Sequence, residues 1–83
     1  MDYRLFIAVD VVDFLQTLRR SQRQEMLAHF RRLRNSPGRY ADYQDSDEVG
    51  RRVEVSVFGG FAIYYWVDEA DQHVKILKLA TAD

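Results

Sequence analysis

Tyr64 and Trp66 occupy alternate positions of one strand-like segment, with Arg52 and Glu54 across a glycine turn and Lys75 on the segment that follows. Amphipathic rings beside cations and an acid are the residue set that anchors binding interfaces. The rings desolvate at low cost and hold a cation over their faces. These five residues are the candidate binding face. The competing account is structural: Trp66 packs beneath an acidic loop and Tyr64 covers a sheet face. A second set lies on a helical segment. At ~100° per residue, Arg20, Arg23, Arg31 and Arg34 fall within about 80° of one another and form a basic stripe. Such a stripe suits a phosphate backbone or an acidic partner segment. It also suits an ordinary solvated flank, whose arginine stems shield the edge of the core.

Other chemistry is sparse. The chain has no cysteine, which removes disulfides, thiolate metal sites and thiol nucleophiles together. His29 and His73 are the only imidazoles, and neither belongs to a His-x-x-x-His or Glu-x-x-His pair. Both read as partly exposed structural residues. Asp68, Glu69 and Asp71 lack the spacing and glycine of a calcium loop and read as turn residues. Gly59-Gly60 has no phosphate-cradling pattern around it and reads as a hairpin turn. No metal and no cofactor are expected.

Charge narrows the partners. Eight arginines face four acids from Met1 to Tyr40, and four basic residues face nine acids from Ala41 to Asp83. The halves therefore carry +4 and −5, which gives the net −1 of the whole chain. A slightly acidic chain is a poor general binder of nucleic acid, whose affinity rests on neutralised phosphates and released counterions. Only the N-terminal half is a local exception. No apolar run approaches the length of a membrane span and no basic-then-apolar leader opens the chain, so a soluble, cytoplasmic protein is expected.

The elements that must position these residues follow from periodicity. A chain of 83 residues makes one small domain, 1–83, near the lower size limit for folding without staples. Tyr3 to Val9 reads as a strand. Asp10 is placed as the cap of a short helix bearing Val11, Phe14, Leu15 and Leu18 and ending near Arg19-Arg20. Ser21 and Gln24 make an S-x-x-Q capping box for a second helix with an apolar stripe of Met26, Leu27, Phe30 and Leu33, which stops at Asn35-Ser36-Pro37-Gly38. The acidic stretch from Arg39 to Gly50 reads as a surface loop with a short irregular strand near Tyr43. Strands follow at Arg52–Phe58, Phe61–Val67 and His73–Leu79. Val53, Val55 and Val57 share one face, expected beneath the helices; Arg52, Glu54 and Ser56 share the other. On the next strand Ile63, Tyr65 and Val67 alternate with Ala62, Tyr64 and Trp66. Val74 and Ile76 face the core, yet Leu77 and Leu79 are apolar too. That strand is therefore either covered on both sides or part of a binding surface. The fold class is α+β, β-α-α-β-β-β, an antiparallel sheet with an αα-hairpin packed on one face.

YRLFIAVD at the start, the helical stretch LRRSQRQEMLAHFRRLRNSPG, and RRVEVSVFGGFAIYYWVDEADQHVKILKL at the end resemble the RelE/ParE superfamily of toxin–antitoxin toxins, over nearly the whole chain. The resemblance implies a bacterial, cytoplasmic toxin-like protein of the plasmid-stabilization kind, bound by an antitoxin protein and directed at a large target such as gyrase or the ribosome. Two departures matter. Ribosome-dependent mRNA endonucleases of the family carry an arginine in the middle-strand segment that here runs Phe61, Ala62, Ile63, Tyr64, Tyr65, so Ala62 stands at the arginine position. They also carry a tyrosine or histidine near the end, where this chain has Ala80-Thr81-Ala82-Asp83. Cleaving RNA needs a base, an acid and cations for the phosphorane charge. The expected function is thus a non-nucleolytic, toxin-like binding module. The alternatives are an mRNA endoribonuclease using Arg51, Arg52, Lys75 and Tyr64, and a non-toxic structural or regulatory homodimer.

Overall fold

The alternating segment Arg4–Ile7 forms β1, and α1 follows at Val9–Gln16 with Val11 and Leu15 buried. Ala8 is its N-cap, in extended backbone and without a side-chain cap. Asp10, expected as the cap, instead lies in the first turn, where its negative charge meets the exposed N–H groups. α2 spans Arg20–Asn35 and buries Met26, His29, Phe30 and Leu33. Its cap is Arg19, whose backbone N–H donates to Gln22 Oε1 at 3.3 Å, so the expected Ser21/Gln24 box is displaced by two residues. This computed structural model describes residues 3–82, so Asp83 of the expected tail lies outside the described residues.

Four strands complete the sheet: β2 at Tyr43–Ser46, β3 at Arg52–Phe58, β4 at Phe61–Asp68 and β5 at His73–Thr81. Their order across the sheet is β1-β5-β4-β3-β2. The β2-β3-β4-β5 meander is antiparallel, as expected, while β1 lies parallel to β5 and makes the sheet mixed. The chain leaves β1 over one face through both helices and returns at the far edge. Three reversals then bring β5 back beside β1 in the same direction. The short strand near Tyr43 is real and closes the far edge.

Both helices pack on one face of the sheet, α1 against β5 and α2 against β1 and β5. The core joins Val11, Leu15, Met26, Phe30 and Leu33 of the helices to Ile63, Tyr65, Val74, Ile76 and Leu79 of the sheet. Ile63, Tyr65 and Val67 thus face the helices as their alternation requires. The valines of β3 do not. Gly59 and Gly60 adopt φ 61° and 84° and form a two-residue turn that pairs Phe58 with Phe61. Counting outward, Ser56 pairs with Ile63 and Glu54 with Tyr65, so the Ser56 side of β3 faces the helices. Val53 and Val55 are buried on the opposite face of the sheet and Val57 is 45% exposed there. The expectation that these valines lie beneath the helices is therefore corrected.

A bulge resolves the last strand. Tyr64 pairs with Lys78 but Tyr65 with Ile76, leaving Leu77 as the extra residue. The insertion shifts the alternation by one, which is why Val74, Ile76 and Leu79 all reach the core.

Candidate functional site

The face of the sheet away from the helices is the open one, and Tyr64 and Trp66 stand on it. Val55 lies between Tyr43 on β2 and Tyr64 on β4, and Ala62 lies between Val57 and Ala80. Trp66 pairs with Lys75 on β5. Half-buried rather than interior, its ring is flanked by two cations: the Arg51 guanidinium and the Lys75 ammonium each lie 4.8 Å from its centroid. The Lys78 ammonium lies 5.1 Å from the Tyr64 ring. The rings therefore act as pedestals that hold positive charge in place, rather than as bare stacking platforms.

The turn after β2 fixes Arg51. Asp47 accepts the backbone N–H of Arg51 at 2.7 Å and of Val49 at 3.1 Å, and receives the Arg51 Nε–H at 2.8 Å. Burial alone would raise the Asp47 carboxyl. The Arg51 and Val49 donors and the guanidinium outweigh it and hold the group below the usual carboxylate value. Beside this turn a cleft of about 440 Å³ opens, lined by Asp45, Asp47, Arg51, Tyr64, Leu77 and Lys78 among others. Leu77, set out of phase by the bulge, supplies part of its apolar wall. The Tyr43 phenol is pushed up, first by desolvation and then by the neighbouring Tyr64 hydroxyl.

The sequence-derived face divides. Tyr64, Trp66 and Lys75 are brought together. Arg52 and Glu54 alternate onto the helix side, where Glu54 pairs with Tyr65 and accepts a hydrogen bond from Gln44 Nε2 at 3.0 Å. Glu54 instead lines a second groove, of about 520 Å³, beneath the α2–β2 connection, together with Asp42, Glu69 and Val67. At its margin the Tyr65 hydroxyl donates to the Pro37 carbonyl at 3.0 Å. Burial, then Glu54 and Asp42, push that phenol up to about 12. Arg51 and Lys78 take the places that Arg52 and Glu54 were expected to fill. Counting pairs outward from Gly59-Gly60 identifies the Arg52/Glu54 error from sequence. Arg51, which precedes the strand, leaves no such signal.

Arg20 and Arg31 are exposed on α2 and Arg23 and Arg34 are half-buried. They belong to the helix layer, so the basic stripe and the Tyr–Trp face look out from opposite sides of the sheet. His29 is not partly exposed as expected. At 5% exposure it lies in the interior, against Ser56, Arg32 and Phe58. Ala62, at the position where the resemblance calls for an arginine, is buried between Val57 and Ala80.

No protein-family model matches the sequence, and no curated protein matches it. Solved structures do. A chain of the archaeal RelE–RelB complex from Pyrococcus horikoshii superimposes with a TM-score of 0.82 at 26% identity, over 98% of this chain and 96% of that one. A chain of the RelBE2 toxin–antitoxin complex from Mycobacterium tuberculosis does so with a TM-score of 0.82 at 17% identity, over 99% and 100%. The toxin RelE of E. coli, an arginine-to-alanine double mutant in the free state, gives 0.66 at 15% identity, over 100% and 86%. The fold is RelE-like.

Proposed function

We propose, from a fold that is RelE-like across nearly its whole length, that this chain is the toxin-like member of a toxin–antitoxin pair. It acts by docking and is held in check by an antitoxin protein. The observation that carries the reading is the likeness, at a TM-score of 0.82 over 98% of the chain, to a chain from a RelE–RelB complex. The open sheet face supports it: Trp66 and Tyr64 present Arg51, Lys75 and Lys78 as fixed cations beside a cleft. Such a surface suits an acidic segment of a partner or a large anionic target, and gyrase and the ribosome are the targets we consider. Work in the cytoplasm of a prokaryotic cell and a part in plasmid maintenance belong to the same reading.

A docking role without RNA cleavage is supported by Ala62, which puts a methyl group where the resemblance calls for a guanidinium. One observation favours the nuclease alternative. Arg51, Lys75 and Tyr64 do share one face, joined by Lys78. Arg52 does not join them.

Induced expression tests the reading. Growth arrest that a co-expressed neighbouring open reading frame relieves is the expected result, with intact ribosome-bound mRNA. Cleaved mRNA in the arrested cells selects the nuclease, and supercoiling defects select gyrase as the target. A silent protein that dimerises with concentration overturns the toxin reading altogether.

A further inference from the structure

We infer that Asp68, Asp71 and His73 form a divalent-cation site at the β4–β5 turn, suited to Zn²⁺ or a similar borderline metal. Asp68 closes β4 and His73 opens β5, and the two are paired directly in register. Paired residues leave a sheet on the same face, so a carboxylate and an imidazole start side by side. In the turn between them Gln72 adopts φ 55°, and Asp71 comes to the same place. One donor atom from each of the three lies within 4.8 Å of the other two.

A separate observation on His73 calls for a ligand. Its Nδ1 atom is buried and has no hydrogen-bond partner. The Phe6 ring stacks on the imidazole, 4.2 Å between centroids and 24° between planes, which limits how the ring can turn to find one. A buried polar atom left unsatisfied is rare, and a bound ion is one of the few explanations it admits. In the proposed site the metal takes the Nδ1 lone pair and so supplies the missing partner, and the two carboxylates balance its charge.

The other contacts of the acids are compatible with this. Asp68 Oδ1 accepts the Asp71 backbone N–H at 3.2 Å, which steadies the turn. Lys75 Nζ stands 3.9 Å from Asp68 Oδ2 and is the one side-chain cation within ion-pair distance of the trio among the described residues. It already lies over the Trp66 ring, so it has somewhere to remain when a metal takes its place beside Asp68. One nitrogen and two oxygens suit Zn²⁺ better than Ca²⁺ or Mg²⁺, which take all-oxygen shells, and without thiolate they do not suit Cu(I). Three protein ligands leave a position for water. The inference does not depend on the toxin reading.

The test is a titration of the full-length, chelator-treated protein with ZnCl₂, followed by calorimetry and by imidazole ¹⁵N chemical shifts. Saturable 1:1 binding is expected, with the His73 Nδ1 resonance moving as a metal ligand and the His29 resonances unmoved. Asp71→Asn, in an exposed turn position, should fold normally and weaken Zn²⁺ by at least ~10-fold, the loss that even outer partners of a metal produce. His73→Gln should abolish the saturable binding, and MgCl₂ should not compete. The site is overturned by a His73 Nδ1 resonance that stays still at millimolar Zn²⁺, by metal-induced shifts confined to His29, or by unchanged affinity in a folded Asp71→Asn protein.

Discussion

His29 Nε2 lies 2.9 Å from the Ser56 hydroxyl, a buried contact that ties α2 to β3. Arg32 donates to Nδ1 at 3.2 Å, so that nitrogen accepts, and Nε2 carries the proton that Ser56 receives. The ring also lies flat on Phe58, 4.2 Å between centroids. A neutral imidazole is thus built into a buried polar link between the helix layer and the sheet.

Burial first, and then the Arg32 charge, lower the His29 pKa below its ordinary 6.5, against a smaller opposing pull from Asp42. In the unfolded chain the group takes its proton near 6.5, whereas the folded protein resists it. The contribution is therefore fully present above that pH and is lost as pH falls through the lower folded value. Urea midpoints measured from pH 8 down to pH 5 should decline on the acid side, and His29→Gln should flatten that part of the profile. Ser56→Ala, which leaves Nε2–H without an acceptor, should cost about 1–3 kcal/mol at neutral pH.

Tyr65 behaves with the opposite sign. Its folded pKa of about 12 exceeds the ordinary 10.0, because burial and the nearby Glu54 and Asp42 disfavour the phenolate. Its contribution is complete below pH 10 and disappears as pH rises toward 12. Alkaline unfolding followed by circular dichroism should show that loss, and Tyr65→Phe should lack it. The same substitution removes the hydrogen bond to Pro37 and should lower neutral-pH stability by about 0.5–1.5 kcal/mol.

The two faces of β3 and β4 predict an asymmetry in binding. Trp66→Ala removes the ring that holds Arg51 and Lys75, and should weaken the complex with a co-purified antitoxin by about 2 kcal/mol, roughly 30-fold. Arg52→Ala and Glu54→Ala, on the helix side, should leave it within about 0.5 kcal/mol. Calorimetry on the three variants reads the difference. Equal losses at all three positions would remove the assignment of the docking face.

Gly60→Ala is the local test of register. The backbone at Gly60 has φ 84°, which a side chain disfavours even though nothing stands within 4 Å of an added Cβ. The cost should be about 1–2 kcal/mol in thermal or chemical unfolding, with the fold retained.

The helices, the Gly-Gly hairpin and all three long strands are legible in periodicity, because each signal lies within a few adjacent residues. Both caps lie two residues before the expected positions, since neither Ala8 nor Arg19 has a side chain of the usual capping type, and only Gln22 Oε1, which accepts the Arg19 N–H, assists the second helix. The candidate site was half legible. Tyr64, Trp66 and Lys75 could be grouped by alternation, but Arg51 lies before its strand and reaches Trp66 only because Asp47 holds the turn. Asp71 and His73 looked like ordinary turn and strand residues until the register of β4 and β5 drew them together.

By itself the sequence decided which side chains share a face, because alternation along a strand and the length of a turn are properties of neighbouring residues. Which face receives the helices was settled only in three dimensions. The helices pack over β1 and β5, next to the Ile63 and Tyr65 side of β4, and pairing through Gly59-Gly60 then commits Ser56 rather than Val55 to that layer. The parallel seating of β1 on β5 has the same origin. It depends on contact between segments far apart in the chain, where burial of a shared core outweighs the preference of any single segment.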